Sequence, residues 1–224
     1  MKDCNMTDAI ASLQTLTGIA PTPGGAARTV LHVGCGADHP DKVPAAFFPL
    51  GEWRELRLDI DPDVGPDIQA SITEMPMVPD ASVDAIWSAH NLEHLEPHEV
   101  SLALAEFHRV VRPGGFVLVT VPDLQQVAAL VAEDKLEDAA YVSGMGPIAP
   151  LDMLYGLRSA LAAGNRFMAH RTGYTATTLE SAFTRAGFAP VRVIRDGHFA
   201  LWATGFAPPE RRPDYAAGNR RMRR

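Results

Sequence analysis

Three short stretches hold residues whose types and spacing can do chemistry. In "TVLHVGCGADHP", Thr29 to Pro40, Gly34 and Gly36 follow an apolar run. Glycines at such a place let the backbone approach a ligand closely and offer amide donors. The third glycine of a dinucleotide loop is absent, because Ala37, Asp38 and His39 follow instead. A pyrophosphate loop uses that glycine for close helix–strand packing, so the pattern points away from NAD. In "LRLDIDP", Asp59 ends a second apolar run. A carboxylate there can accept hydrogen bonds from both hydroxyls of a ribose, and with the glycines it describes a nucleoside site. The third stretch, "HNLEH", His90 to His94, has the H-x-x-E-H spacing of some zinc proteases. That chemistry needs both histidines on one helical face and a third ligand. His90 follows a strand directly and Pro97 lies three residues after His94, so no long helix is available and no metal is expected.

These groups need elements to position them, and the chain supplies an alternation. Apolar runs at Thr29–Val33, "ELRLDID", "GPDIQAS", "SVDAIWSA" and "FVLVTV" read as five strands. "PHEVSLALAEFHRVV" carries Val100, Leu104, Phe107 and Val111 at helical spacing, with "RPGG" as its stop. A short amphipathic helix is expected over residues 7–17. "TATTLESAFTRAGF" is a helix capped by Thr175 or Thr177 and closed by Gly187, followed by two strands joined at Asp196-Gly197. Strands alternating with helices imply a parallel sheet covered on both faces, here finished by an antiparallel hairpin. In such α/β sheets ligands sit beyond the carboxyl ends of the strands. The groups waiting there are Gly34-Cys35-Gly36, Asp59, Ser71-Ile72, Ser88-Ala89-His90 and Pro122-Asp123. The roughly 50 residues from Asp123 to Tyr174 exceed a normal crossover, so an insertion is expected, with helices near 124–136 and 151–162. Its glycines and the run "SGMGPIAP" suggest a mobile lid.

Whole-chain properties exclude other classes. A net charge of −7 argues against a nucleic-acid binder. Cys4 and Cys35 form no disulfide or metal spacing, the first residues, with Asp3 and Asp8 and no long apolar core, are not expected to act as a signal peptide, and no apolar run is long enough to span a membrane. A soluble, cytoplasmic protein is expected, with one domain over 1–207 and a basic, disordered tail over 208–224.

The stretches "VLHVGCG", "LRLDIDP", "ITEMPMVPDASVDAIWSAHNLEHL", "LAEFHRVVRPGGFVLVTVPD" and "RTGYTATTLESAFTRAGF" occur in an order that resembles the class I S-adenosylmethionine-dependent methyltransferases of type 11. The likeness is strongest to a subgroup found alongside glycosyltransferases. It implies a Rossmann-like, seven-stranded sheet with an antiparallel last strand and S-adenosyl-L-methionine as cofactor. By resemblance Gly34, Cys35 and Gly36 pass under the methionine part, Asp59 holds the ribose, and Ile60 packs on the adenine. Ser71 and Ile72 take the adenine edge, and His90 opens near the methyl group. His32 and Ser71 stand where relatives usually carry acidic residues, and Asp38 replaces the third glycine. The implied acceptor is a small molecule or a glycan. The pattern "NPPY" or "DPPY" of base and glutamine methyltransferases is absent, "SAHN" standing in its place. Candidate bases are His90, His94, Asp123 and His170, and the candidate acceptor contacts are Tyr155, His170, Arg171 and Tyr174. A non-catalytic nucleoside-binding regulator of the same fold stays open as the alternative.

Overall fold

The computed structural model describes residues 27–40 and 42–209. The helix expected over 7–17 and most of the basic tail lie outside them. The core is one seven-stranded sheet: β1 (Arg28–Val33), β2 (Trp53–Asp59), β3 (Ile68–Gln69), β4 (Val83–Ala89), β5 (Val111–Pro122), β8 (Val191–Arg195) and β9 (Ala200–Phe206). Its order is β3-β2-β1-β4-β5-β9-β8, with β1 to β5 parallel and β9 antiparallel to both of its neighbours.

Each central strand is buried on both faces, yet alternation survives in which layer a residue joins. Leu31 and Val33 of β1, Ile86 of β4, and Val117, Val119 and Val121 of β5 point into one layer. Their neighbours Val30, Ala85, Trp87, Phe116 and Leu118 point into the other. This is the period of two expected of a pleated strand covered on both sides. The first layer is closed by α1 (Val100–Val110), whose Val100, Ala103, Leu104, Phe107 and Val110 are buried. Leu179 and Phe183 of α5 (Ala176–Arg185) join them. The second layer is aromatic: Phe47 and Phe48, from the connection before β2, stack on Trp202 and Phe116. The N-cap of α5 is Thr175, whose hydroxyl accepts from the Thr178 amide.

One row of paired residues, Val119–Ser88–Val33–Leu58–Ile68, crosses the sheet just before its carboxyl edge. The loops after β1, β2 and β4 therefore leave at one level. The strand order reverses between β1 and β4, and in this sheet type that reversal opens a crevice.

The insertion after β5 differs from expectation. It holds α2 (Leu124–Ala132), a hairpin of β6 (Tyr141–Ser143) and β7 (Gly146–Ile148), then α3 (Pro150–Tyr155), α4 (Arg158–Ala162) and a 3-10 turn, Arg166–Met168. The "SGMG" run is thus a hairpin turn, in which the Ser143 hydroxyl accepts from the Met145 amide. The helix expected over 151–162 breaks at Gly156, where φ is +101° and an added Cβ would lie 2.0 Å from the Met168 carbonyl oxygen. The helix expected over 124–136 ends at Ala132. A small core of Val127, Ile148 and Met153, with Tyr141 and Phe199 against it, holds the insertion together. Gly156→Ala is expected to cost at least ~2 kcal/mol, from the left-handed backbone and the clash with backbone together. The loss is read as a lower melting temperature, with faster hydrogen exchange concentrated in residues 150–170. Among the described residues no helix is long and apolar enough to cross a membrane.

Candidate active site

The crevice at the carboxyl edge holds a cavity of about 400 Å³, within the range of small-molecule sites. Its base is the turn after β1. Gly34 and Gly36 both have positive φ, +61° and +58°. The turn's polar groups are held from within the protein. The Gly36 amide donates to Asp59 Oδ2 at 2.7 Å, and Arg57 Nη2 donates to the Gly36 carbonyl at 2.6 Å. Lys42 Nζ donates to the Cys35 carbonyl at 2.8 Å. Asp59 ends β2, and its Oδ1 accepts from the Asp61 amide at 2.9 Å. Two amides engage two of its four lone-pair directions, so the carboxylate keeps acceptor capacity toward the cavity it lines. Asn91 sits over the turn: a Cβ on Gly34 would lie 2.3 Å from Asn91 Nδ2. That buried amide nitrogen has no hydrogen-bond partner.

A second cavity of about 180 Å³ lies alongside. His90, His94 and Met168 line both. Its walls are Tyr141, Met145, Ile148, Leu157 and Phe199, and its polar floor is His90, Glu93, His94 and His170. Tyr141 and Phe199 stack with centroids 6.1 Å apart. His90 directly follows β4 with φ of +48°, a conformation rare outside glycine and one that recurs at functional sites. Its Nδ1 lies 3.1 Å from Glu93 Oε1, and Glu93 is almost wholly buried on the single turn Leu92–His94.

Burial acts first on both members of this pair, and in each it is outweighed. Burial pulls the His90 pKa down, but the hydrogen bond and charge of Glu93 carry it above the usual histidine value. Burial pushes Glu93 up, but the His90 hydrogen bond and the nearby histidines carry it below the usual carboxylate value. His170, near the end of the insertion, is lowered chiefly by burial. The insertion docks onto Glu93 itself, whose carbonyl accepts from the amides of Arg171 (2.8 Å) and Thr172 (3.1 Å).

Most of the expected residues meet here. Gly34, Gly36, Asp59, Ile60, Ser71, Ile72, His90, His94 and Arg171 line the larger cavity, while His90, His94 and His170 line the smaller. Four do not. The Cys35 side chain is buried away from the cavity, and its thiol is pushed up by burial. Asp123 lines neither cavity. It caps α2 through the Gln125 amide and pairs with Arg195, so a base role has no geometry behind it. Tyr174 is buried in the main core, its hydroxyl 3.4 Å from the Leu92 carbonyl, and burial drives its pKa upward. Tyr155 is exposed and lines neither cavity. Ser71 faces the larger cavity with its hydroxyl 2.8 Å from Thr73 Oγ1. His32 is buried and pairs with Glu55 at 2.6 Å. Its pKa is lowered, burial outweighing that partner. Sequence reasoning missed Asn91, Phe167 and Met168. Only Asn91 left a signal, as the second residue past β4.

Residues 31–119 match a family model described as a methyltransferase domain. The seven-stranded sheet that carries those residues has the Rossmann-like class I methyltransferase fold. S-adenosylmethionine is the cofactor of this methyltransferase, and the residues present fit it. The turn leaves no room for a side chain at Gly34, an unpartnered amide lies above it, and the Asp59 carboxylate lines the same cavity. Solved structures agree on the fold. The methyltransferase is 18% identical to the Burkholderia thailandensis 1,6-didemethyltoxoflavin-N1-methyltransferase, over 92% of this chain and 80% of that one, with a TM-score of 0.54. It is 14% identical to a SAM-dependent methyltransferase from Archaeoglobus fulgidus, over 88% and 92%, with a TM-score of 0.52. A Haloferax volcanii complex of the Trm112 methyltransferase activator and a putative methyltransferase gives 15%, 91% and 90%, with a TM-score of 0.54. These likenesses reach the class and not the glycosyltransferase-associated subgroup. Among curated proteins, none matches the sequence.

Proposed function

We propose that the methyltransferase holds S-adenosylmethionine in the larger cavity and passes its methyl group to a small acceptor in the smaller one. The observation that carries this reading is that the two cavities share His90, His94 and Met168 as a common wall. A cofactor in one and an acceptor in the other face each other across that wall. In this reading Asp59 receives the ribose hydroxyls, Ser71 and Ile72 bound the adenine, and Asn91 donates to the methionine carboxylate near Gly34. The sulfonium of the cofactor supplies the electrophile, so the chain's task is alignment, exclusion of water and removal of the acceptor's proton. His90 stands on the path by which that proton leaves. A cavity of about 180 Å³ walled by the Tyr141–Phe199 stack suits a small, flat, largely apolar acceptor with one nucleophilic group rather than a glycan. The Burkholderia relative holds S-adenosylhomocysteine and 1,6-didemethyltoxoflavin together, the arrangement that two adjoining cavities require.

The test is a pair of measurements. Calorimetry with S-adenosylmethionine should give one site per chain, and turnover of small aromatic acceptors should release S-adenosylhomocysteine. Tyr141→Ala should raise the KM for such an acceptor at least ~tenfold, as expected for losing a stacking wall worth about 1.5 kcal/mol, and leave cofactor affinity within twofold. Binding without turnover across a broad acceptor set points instead to the regulator. An unchanged acceptor KM in Tyr141→Ala removes the smaller cavity from the reaction.

A further inference from the structure

We infer that Glu93, His94 and His170 form a binding site for a first-row divalent transition-metal ion on the floor of the smaller cavity. One potential ligand atom from each lies within 4.8 Å of the others. A tetrahedral zinc site places its nitrogen and oxygen ligands ~3.3 Å apart, so side-chain adjustment of ~1.5 Å or less closes the set.

The surroundings are built for ligation. His94 Nδ1 lies 3.1 Å from the Ala169 carbonyl, and His170 Nδ1 lies 2.8 Å from the Met153 carbonyl. A carbonyl can only accept, so both rings carry their hydrogen on Nδ1, and each neutral ring keeps the Nε2 lone pair free. Fixing the tautomer of a ligating histidine through a backbone carbonyl is the usual outer-shell device of metal centres. Glu93 has one oxygen held by His90, while the other, Oε2, is buried with no partner. An unpaired carboxylate oxygen in the interior is costly unless something cationic meets it. Two imidazoles and one carboxylate suit zinc and its neighbours rather than magnesium or calcium, which take oxygen ligands. The H-x-x-E-H spacing thus marks a site whose third ligand is His170, brought in by the insertion, and not His90.

Three ligands leave a position open toward the cavity. Resting on the reading proposed above, that position takes the acceptor's hydroxyl and lowers its pKa. The proton leaves to water, the oxygen's electron pair attacks the methyl carbon, and the carbon–sulfur bond breaks with its pair going to sulfur. The products are the methyl ether and S-adenosylhomocysteine.

The experiment uses untagged full-length protein, stripped with chelator and titrated with Zn2+ alone, then with Co2+ alone, in the absence of cofactor. One ion per chain is expected, with visible ligand-field absorption for Co2+. His170→Ala and His94→Ala should lose the ion. His170→Ala should keep the melting temperature of the stripped wild type and bind S-adenosylmethionine within twofold, which separates ligand loss from misfolding. His98→Ala, at an exposed histidine outside the cluster, should bind the ion normally. Absence of stoichiometric binding, or normal binding by both ligand variants, overturns the site. Metal binding is read without methyl transfer, so it stands or falls separately from the proposed reaction. Turnover that survives chelation unchanged overturns the acceptor-holding role.

Discussion

An Asp59→Ala protein is expected to bind S-adenosylmethionine at least ~tenfold more weakly than the wild type and to melt at a lower temperature. Hydrogen bonds to a charged group are worth ~1.5–3 kcal/mol each, and a ribose presents two hydroxyls to this carboxylate. The same carboxylate receives the Gly36 and Asp61 amides, so its removal also loosens the turn at the base of the larger cavity. Both effects push binding in one direction. Asp59→Asn separates them: an amide keeps one acceptor oxygen for the turn but loses the charge. Calorimetry on the two variants, with melting curves as control, reads the result. Unchanged affinity in Asp59→Ala would falsify the assignment of the larger cavity to the cofactor.

Gly34→Val should abolish cofactor binding and destabilise the fold as well. From sequence alone the second effect looks modest; the structure makes it larger. Gly34 has φ of +61°, and a Cβ there would lie 2.3 Å from Asn91 Nδ2. A branched side chain pays ~1–2 kcal/mol for the left-handed backbone and must also displace Asn91. Displacing Asn91 fills the space above the turn and removes the unpartnered amide that the proposed reading assigns to the cofactor. Gly114→Ala is the control, because Gly114 also has positive φ (+80°) but an added Cβ meets nothing within 4 Å. That variant should lose stability of backbone origin only and bind normally. Equal cofactor affinity in Gly34→Val and wild type would mean that the turn serves the fold alone.

What could be read in advance follows from how far apart in the chain the cooperating residues lie. Gly34, Gly36, Asp59, Ser71 and His90 each end a strand or follow one within three residues, and a parallel sheet delivers such positions to one edge whatever else the chain does. The strand alternation, the terminal hairpin and the larger cavity were therefore legible. Local capping was legible too, as at Thr175.

The insertion was not. Its glycine-rich composition describes a loop and a hairpin equally well, and the helix break at Gly156 depends on the Met168 carbonyl, reached only after the chain turns back. The same long-range packing sorted the polar residues. It turned Asp123 toward Arg195 and buried Tyr174 in the main core, although both are types that do chemistry.

It also completed the proposed three-ligand cluster, whose third member, His170, no spacing announces. His94 meets through its Nδ1 the carbonyl of Ala169, 75 residues later in the chain, and the Arg171 amide on the Glu93 carbonyl brings the neighbouring His170 to the same place. The sequence by itself determined the sheet, its carboxyl edge and the residues along it that line the larger cavity, because periodicity and strand ends are local properties. Only the tertiary structure decided which side chains of the insertion face the second cavity. That choice rests on backbone hydrogen bonds and packing between segments far apart in the chain, and local pattern carries no record of either.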